Sequence, residues 1–164
     1  MKFFSLIVLI LITSISVAEN TKIGYVDVDL VINSLTKYKE DTDAIILNFQ
    51  PKKLELLDLF DHIEKLKINL NLTKSSLSSE EYKKQIEIIL KLENSFQNET
   101  DQWQAAINQQ KAISLEQIET LINKAVRDLA NIENYDLIFY SNAAYVAEEL
   151  NISNQIISAI ESLN

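Results

Sequence analysis

His62 is the only histidine in the chain and stands beside Asp61, a pairing that in other settings supplies a general base and the carboxylate that orients it. Here the apolar spacing around the pair places both on a helix, where adjacent side chains point in different directions and do not converge on one atom. His62 therefore reads as a surface or packing residue. The chain has no cysteine and one glycine, so it lacks a thiolate nucleophile and a glycine-rich phosphate loop, and no spaced His/carboxylate metal motif occurs. Carboxylates are plentiful, but most fall where solvated helix faces are expected. Catalysis, metal and cofactor are all unexpected. What remains is the chemistry of contact: apolar Leu54, Leu57 and Phe60 could touch a partner, and Lys65, Lys67, Lys74, Lys83 and Lys84 outnumber Glu80 and Glu81 over the same stretch.

These residues belong to a long segment, Lys37 to Ile132, with no glycine and a single proline, Pro51. Ile45, Phe49, Leu56, Leu59, Ile63, Leu66 and Leu70 follow alternating steps of three and four, interrupted by Lys52, which is the seam of a coiled coil. Leu54, Leu57, Phe60 and Ile68 lie off that seam and either pack against other chains or stay open to an apolar client. Pro51 predicts a kink rather than a helix end, because the stripe keeps its phase on both sides. Thr73 to Ser79 should form the turn, with Ser78 and Glu81 at capping-box spacing for the next helix. The first helix, about Thr36 to Leu72, would run roughly 55 Å and the second, Glu80 to about Ile132, roughly 80 Å. Along the second, Tyr82, Ile86, Ile89, Phe96, Trp103 and Ile107 form a seam broken by Glu93 and Thr100. It resumes in shifted phase at Ile118, Ile122, Ala125, Leu129 and Ile132. The Asn- and Gln-rich stretch from Asn94 to Gln110 predicts an arm firm at its ends and weakly specified in its middle. Trp103 reads as a packing residue, with client contact as the alternative.

Two short strand-like segments bracket the arm, Lys22-Ile-Gly-Tyr-Val-Asp-Val28 and Tyr135-Asp-Leu-Ile-Phe-Tyr140. The second is apolar in both alternating sets, as in a strand covered on both faces. Ala143 to Ala147 is a further candidate strand after a turn at Ser141-Asn142, and Ser153 is a candidate N-cap for a terminal helix through Leu163. A sheet this small needs subunits to complete its core. Ile23, Tyr25, Val26, Val28, Leu137, Ile138, Phe139 and Tyr145 are the candidate association residues. The fold class expected is mostly α with a small β head: residues 19–35 and 133–164 form the β-containing association head, and residues 36–132 form an antiparallel helical hairpin arm with its tip near 73–79.

Residues 1–18 read as a cleaved secretory signal: Met1 and Lys2 precede the apolar run Phe3 to Ile12, and Ser16-Val-Ala18 ends in small residues. The run is about half the length of a membrane span. Glu19 would begin a mature chain of about 146 residues, one domain by length. Setting Lys2 aside leaves 14 basic against 24 acidic residues, a formal net charge of −10, which argues against a generic nucleic-acid or anionic-membrane binder. With no cysteine, stability must come from packing and association. Asn-x-Ser/Thr sequons start at Asn71, Asn98 and Asn151, and chance accounts for them in so Asn-rich a chain.

The order and wording of Lys22-Ile-Gly-Tyr-Val-Asp-Val28, the long hairpin, Tyr135-Asp-Leu-Ile-Phe139, Ala143 to Ala147 and Leu150-Asn-Ile-Ser153 resembles the Skp or OmpH-like periplasmic chaperones. The resemblance covers essentially the whole mature chain, with its specific wording at the two ends of the head. It implies a homotrimer in the periplasm whose strands form a shared hub and whose arms enclose unfolded outer-membrane β-barrel proteins without ATP. Family members are often strongly basic, whereas this chain is acidic except near its tip, so lipopolysaccharide binding is not carried over. Asn134 stands where relatives often have glycine, and asparagine also tolerates the left-handed conformation.

Two functions follow as expectations. The first is an ATP-independent holdase, its apolar patches binding extended clients weakly at many points and its lysine tip attracting acidic clients or making weak membrane-surface contact. The second is a structural adaptor, in which Leu54, Leu57 and Phe60 bind one folded envelope partner.

Overall fold

The computed structural model describes residues 21–140 and 143–162. The expected signal at 1–18, the turn at Ser141-Asn142 and the expected helix end at Leu163 lie outside them. The chain runs from strand β1 (Ile23–Val26) through helices α1 (Val28–Ser34), α2 (Thr36–Thr73) and α3 (Ser79–Glu133) to strand β2 (Leu137–Tyr140). A single 3-10 turn (Glu148–Leu150) and helix α4 (Ser153–Glu161) follow.

With no glycine in either and Pro51 as the single proline, α2 and α3 extend for 38 and 55 residues, about 57 and 82 Å at the rise of an α-helix. Pro51 lies within α2 and does not end it. The turn falls between Thr73 and Ser79, where the Ser76 amide donates to the Thr73 carbonyl at 2.9 Å. Ser78 then caps α3: its hydroxyl accepts from the Glu81 amide at 3.3 Å, and its own amide donates to the Glu81 carboxylate at 2.9 Å, both halves of a capping box. The Ser78 hydroxyl also donates to the Glu81 carboxylate at 2.6 Å, and this bond, with that from the Ser78 amide, holds the Glu81 carboxyl below its ordinary pKa.

Asn134 ends α3 in the left-handed region, φ 55° and ψ 49°. Lys22 closes the same corner. Its ammonium donates to the Glu133 carbonyl at 2.7 Å, pairs with the Glu133 carboxylate at 3.1 Å and sits 4.1 Å from the centre of the Tyr135 ring, combining a C-terminal helix cation with a cation–π contact.

β1 and β2 form a parallel pair, Ile23 opposite Leu137 and Tyr25 opposite Phe139. The other edge of β1 is taken by the segment before α4, since Tyr25 bridges Asn151 and its carbonyl accepts from the Ile152 amide at 2.9 Å. Ala143 to Ala147 forms no strand, contrary to its pattern; the segment that extends the sheet beyond β1 is Asn151-Ile152 instead. Gly24 lies in the tightest part of the sheet, where an added Cβ would meet Ile152 Cδ1 at 2.9 Å, Tyr135 Cε1 at 3.2 Å and Ile138 Cγ1 at 3.3 Å.

Two cores result. One joins Val26, Val31, Ile32 and Leu35 to Ile118, Ile122, Ala125 and Val126 of α3 and to Ile152, Ile156 and Ile160, so the base of α3 is built into the same core as the sheet. The other lies toward the tip, where Ile63, Leu70 and Ile89 pack with Leu59, Leu66, Leu77, Tyr82, Ile86 and Phe96. Ile132, expected on the α3 seam, is 74 % exposed because the seam leaves its partner elements one turn before the helix ends. Ser153 is not the N-cap of α4: Ile152 holds that position, and the buried Ser153 hydroxyl instead accepts from the Asp27 amide at 2.8 Å.

Candidate functional site

The arm is the first candidate surface. Of the seam expected on α2, Leu56, Ile63 and Leu70 are buried and Ile45, Phe49, Leu59 and Leu66 half-buried, all facing α3. Polar groups also tie the two helices along the arm. Lys52 pairs with Glu99 at 2.7 Å and Lys67 with Glu93 at 2.7 Å, while the Ser114 hydroxyl donates to Asp41 at 3.0 Å. The Trp103 indole donates to the Phe49 carbonyl at 3.2 Å, which makes Trp103 a packing residue across the helix pair. The Glu99 carboxyl is held below its usual pKa chiefly by the Lys52 hydrogen bond, and the Lys52 ammonium is raised chiefly by Glu99 and then by Glu55. The middle of the arm thus has ties that its Asn and Gln content does not imply: Lys52, which interrupts the seam of α2, finds Glu99 on α3, and Glu93, which interrupts the seam of α3, finds Lys67 on α2. Ser114 carried no sequence signal, since the apolar pattern lapses around it.

Leu54 and Leu57 lie on the side of α2 away from α3, each 52 % exposed. Phe60 is partly exposed and partly committed, its ring centre 5.8 Å from that of Phe96 on α3. Leu47 and Leu72, which the seam pattern did not single out, are more exposed still. At the tip Lys65, Lys74, Lys83 and Lys84 are exposed. Lys67 is engaged by Glu64 and Glu93, which raise its pKa in that order. His62 is exposed on α2.

The second candidate surface is the outer face of the sheet. The pleat turns Gly24, Val26 and Ile138 inward and Ile23, Tyr25, Leu137 and Phe139 outward. Val26 is buried in its own chain and Val28 and Ile138 pack on the same core, so of the eight candidate association residues these three face inward. Ile23, Tyr25 and Phe139 join Tyr145 and Leu150 around a groove of about 490 Å³, and Tyr145 is 84 % exposed. β2 was expected to be covered on both faces. Within one chain it is covered on one, because no element among the described residues returns across the other. Leu150 and Val146, which also line the groove, were missed: Leu150 lies outside the strand pattern, and of the candidate strand Ala143 to Ala147 only Tyr145 was singled out.

Among the described residues no group of three or more His, Cys, Asp or Glu could hold a metal ion, and no helix is long and apolar enough to cross a membrane.

The family model for outer membrane protein (OmpH-like) matches residues 22–160. The chain belongs to the OmpH-like family. The fold agrees: it is similar to the crystal structure of a Caulobacter crescentus CB15 protein described as an OmpH-like outer membrane chaperone, with a TM-score of 0.75. The two are 12% identical over 87% of this chain and 85% of that one. No curated protein matches the chain in sequence. Membership of the OmpH-like family supports a chaperone role, and with it the two candidate surfaces take on distinct meanings.

Proposed function

We propose that the protein is an ATP-independent periplasmic holdase that keeps unfolded outer-membrane β-barrel proteins soluble, and that it works as a homotrimer. The observation that carries this reading is the row of apolar side chains along α2 that α3 leaves uncovered, Leu54 and Leu57 foremost. A surface of separate, shallow apolar contacts spread along an arm of about 57 Å binds an extended chain weakly at each point and tightly in sum, so the client stays mobile. The open sheet face supports association: Ile23, Tyr25, Leu137, Phe139 and Tyr145 form an apolar surface of the kind a small sheet buries against other subunits. In this arrangement residues 19–35 and 133–164 act as the association head and 36–132 as the arm. The exposed tip lysines add electrostatic attraction to acidic clients or to the membrane surface at delivery.

Native mass spectrometry of the protein alone and mixed with a urea-diluted outer-membrane β-barrel protein tests this. A trimer that gains one unfolded client is the expected result. A monomer or dimer that ignores the client removes the reading and puts the adaptor, with one folded envelope partner, in its place.

A further inference from the structure

Helix α2 is apolar on two opposite sides. One side is the seam against α3. The other runs from Leu47 through Leu54 and Leu57 toward Ile68 and Leu72, all exposed. Counting 3.6 residues per turn, the seven-residue steps from Leu47 to Leu54, Asp61 and Ile68 hold nearly one line, about half a turn from Ile63 and Leu70. Single exposed leucines are ordinary on a protein surface, but a row of them along one side of a helix points to something that covers it.

Charge on this side has one sign where the row is densest. Asp58 and Asp61 are exposed beside Leu54 and Leu57, and the ion pairs of α2 leave both out: Lys52 is held by Glu55 and Glu99, and Lys67 by Glu64 and Glu93. Lys65 closes the acidic stretch one turn nearer the tip, four residues after Asp61, and Lys53 stands at the edge of the row, one turn before Leu57 and about a quarter turn from Leu54. The backbone adds an acceptor on the same side. Pro51 has no N–H, so the Leu47 carbonyl loses the donor that a helix would give it four residues later.

We propose that this side of α2, from Leu47 to Asp61, docks extended client segments in which apolar residues are interspersed with lysine or arginine. The leucines take the apolar side chains, Asp58 and Asp61 take the cations through charge-assisted hydrogen bonds, and the Leu47 carbonyl accepts from an ammonium or a backbone N–H. A second copy offering the same surface would set these aspartates against their own counterparts, and an acidic segment would be repelled. The inference rests on the holdase reading and gives its arm a client class opposite in charge to the one the tip attracts.

The test uses two fluorescently labelled unstructured peptides of identical apolar sequence, one carrying lysine and the other glutamate at every polar position. Anisotropy titrations of the whole protein at low and physiological salt give their affinities, and aggregation of a diluted barrel protein is followed in parallel. The lysine peptide is expected to bind about tenfold more tightly at low salt, with the gap narrowing as salt screens it. Asp58→Asn with Asp61→Asn should shrink the gap to about twofold, and Leu54→Gln with Leu57→Gln should weaken both peptides. All four positions are exposed, so the helical circular dichroism signal is expected to stay unchanged. Equal affinities, or tighter binding of the glutamate peptide, overturn the charge preference. A protein that suppresses barrel aggregation but binds neither peptide overturns the proposal alone, and one that does neither removes the holdase reading as well. A change of oligomeric mass in the Leu54→Gln/Leu57→Gln variant would assign the surface to a second copy and overturn the proposal.

Discussion

Ser153→Ala removes one hydroxyl, and the structure says where the loss is felt. Ser153 is buried at the start of α4 and its Oγ accepts from the Asp27 amide at 2.8 Å. Asp27 is the N-cap of α1, its carboxylate accepting from the Leu30 amide at 2.9 Å, so the Ser153 bond fixes the residue that starts the neighbouring helix. Alanine leaves the Asp27 N–H, which is half-buried, without its protein partner. The expected destabilisation is about 0.5–1.5 kcal/mol, the net worth of a hydrogen bond whose donor is half-buried. Loss of an N-cap alone would cost a similar amount, roughly 0.5–2 kcal/mol, so stability by itself does not separate the two roles. Amide hydrogen exchange does. A capping serine protects the first amides of its own helix; the bond seen here protects Asp27, 126 residues away in sequence. Urea denaturation followed by circular dichroism should show the loss, with faster exchange at Asp27 and α1 than at the first turn of α4. Unchanged exchange at Asp27, with the effect confined to Asn154 to Ile156, would refute the reasoning.

Gly24→Ala crowds Ile152, Tyr135 and Ile138 at once, so no single side chain can relieve it, and a loss of about 1–3 kcal/mol is expected from overpacking, read as a lower urea midpoint. Ile122→Ala opens a cavity in the core shared by sheet and arm and should cost about 2–5 kcal/mol in the same assay. The Lys52–Glu99 tie has a pH window. Glu99 is depressed, so its contribution is present above the unfolded carboxyl value near 4.3 and is lost as pH falls through the lower folded value; Lys52 is raised, so its contribution holds until pH exceeds that of an ordinary lysine near 10.4. Amide exchange in the middle of the arm should accelerate below about pH 4 in the native protein and already be fast at neutral pH in Glu99→Gln; identical profiles for the two would remove the tie. Glutamine at Lys65, Lys74, Lys83 and Lys84 should slow capture of an acidic barrel protein in stopped-flow mixing mainly at low salt, while Lys67→Gln adds little because two carboxylates already hold it.

The long elements were legible because local signals repeat along them. Heptad steps from Ile45 to Leu70 marked the face that α3 covers, and Ser78 with Glu81 marked the start of α3. Asn134 was legible as a left-handed stop for a steric reason that is local to one residue. The failures share a different cause. Which segment extends the sheet is a long-range matter, and Asn151 and Ile152, not Ala143 to Ala147, take the second edge of β1. Whether Ser153 caps its own helix or holds Asp27 depends on a contact across nearly the whole chain. The inward and outward residues of the two strands were pooled because alternation names two faces without saying which one the chain covers, so Val26 and Leu137 looked alike.

A helix that is apolar on two sides presents a folding problem, because either side could serve as the seam. On α2 the second row, Leu47, Leu54, Leu57 and Ile68, is nearly as apolar as the first, and burial energy alone separates them poorly. Polar groups make the distinction. Lys52 and Lys67 lie on or beside the Ile63 side and find Glu99 and Glu93 across it, and Asp41 finds Ser114, whereas the Leu54 side carries Asp58 and Asp61, which would face the acidic seam positions of α3 if the helix were turned about its axis. The wrong pairing is penalised by like charges, and the right one is fixed in register by the ties. Each exposed ion pair adds little to stability, so their worth lies in selection: they keep the leucines of the second row out of the hairpin and available at the surface. The charged residues on and beside the seam therefore allow α2 to be both a packed helix and an open apolar surface.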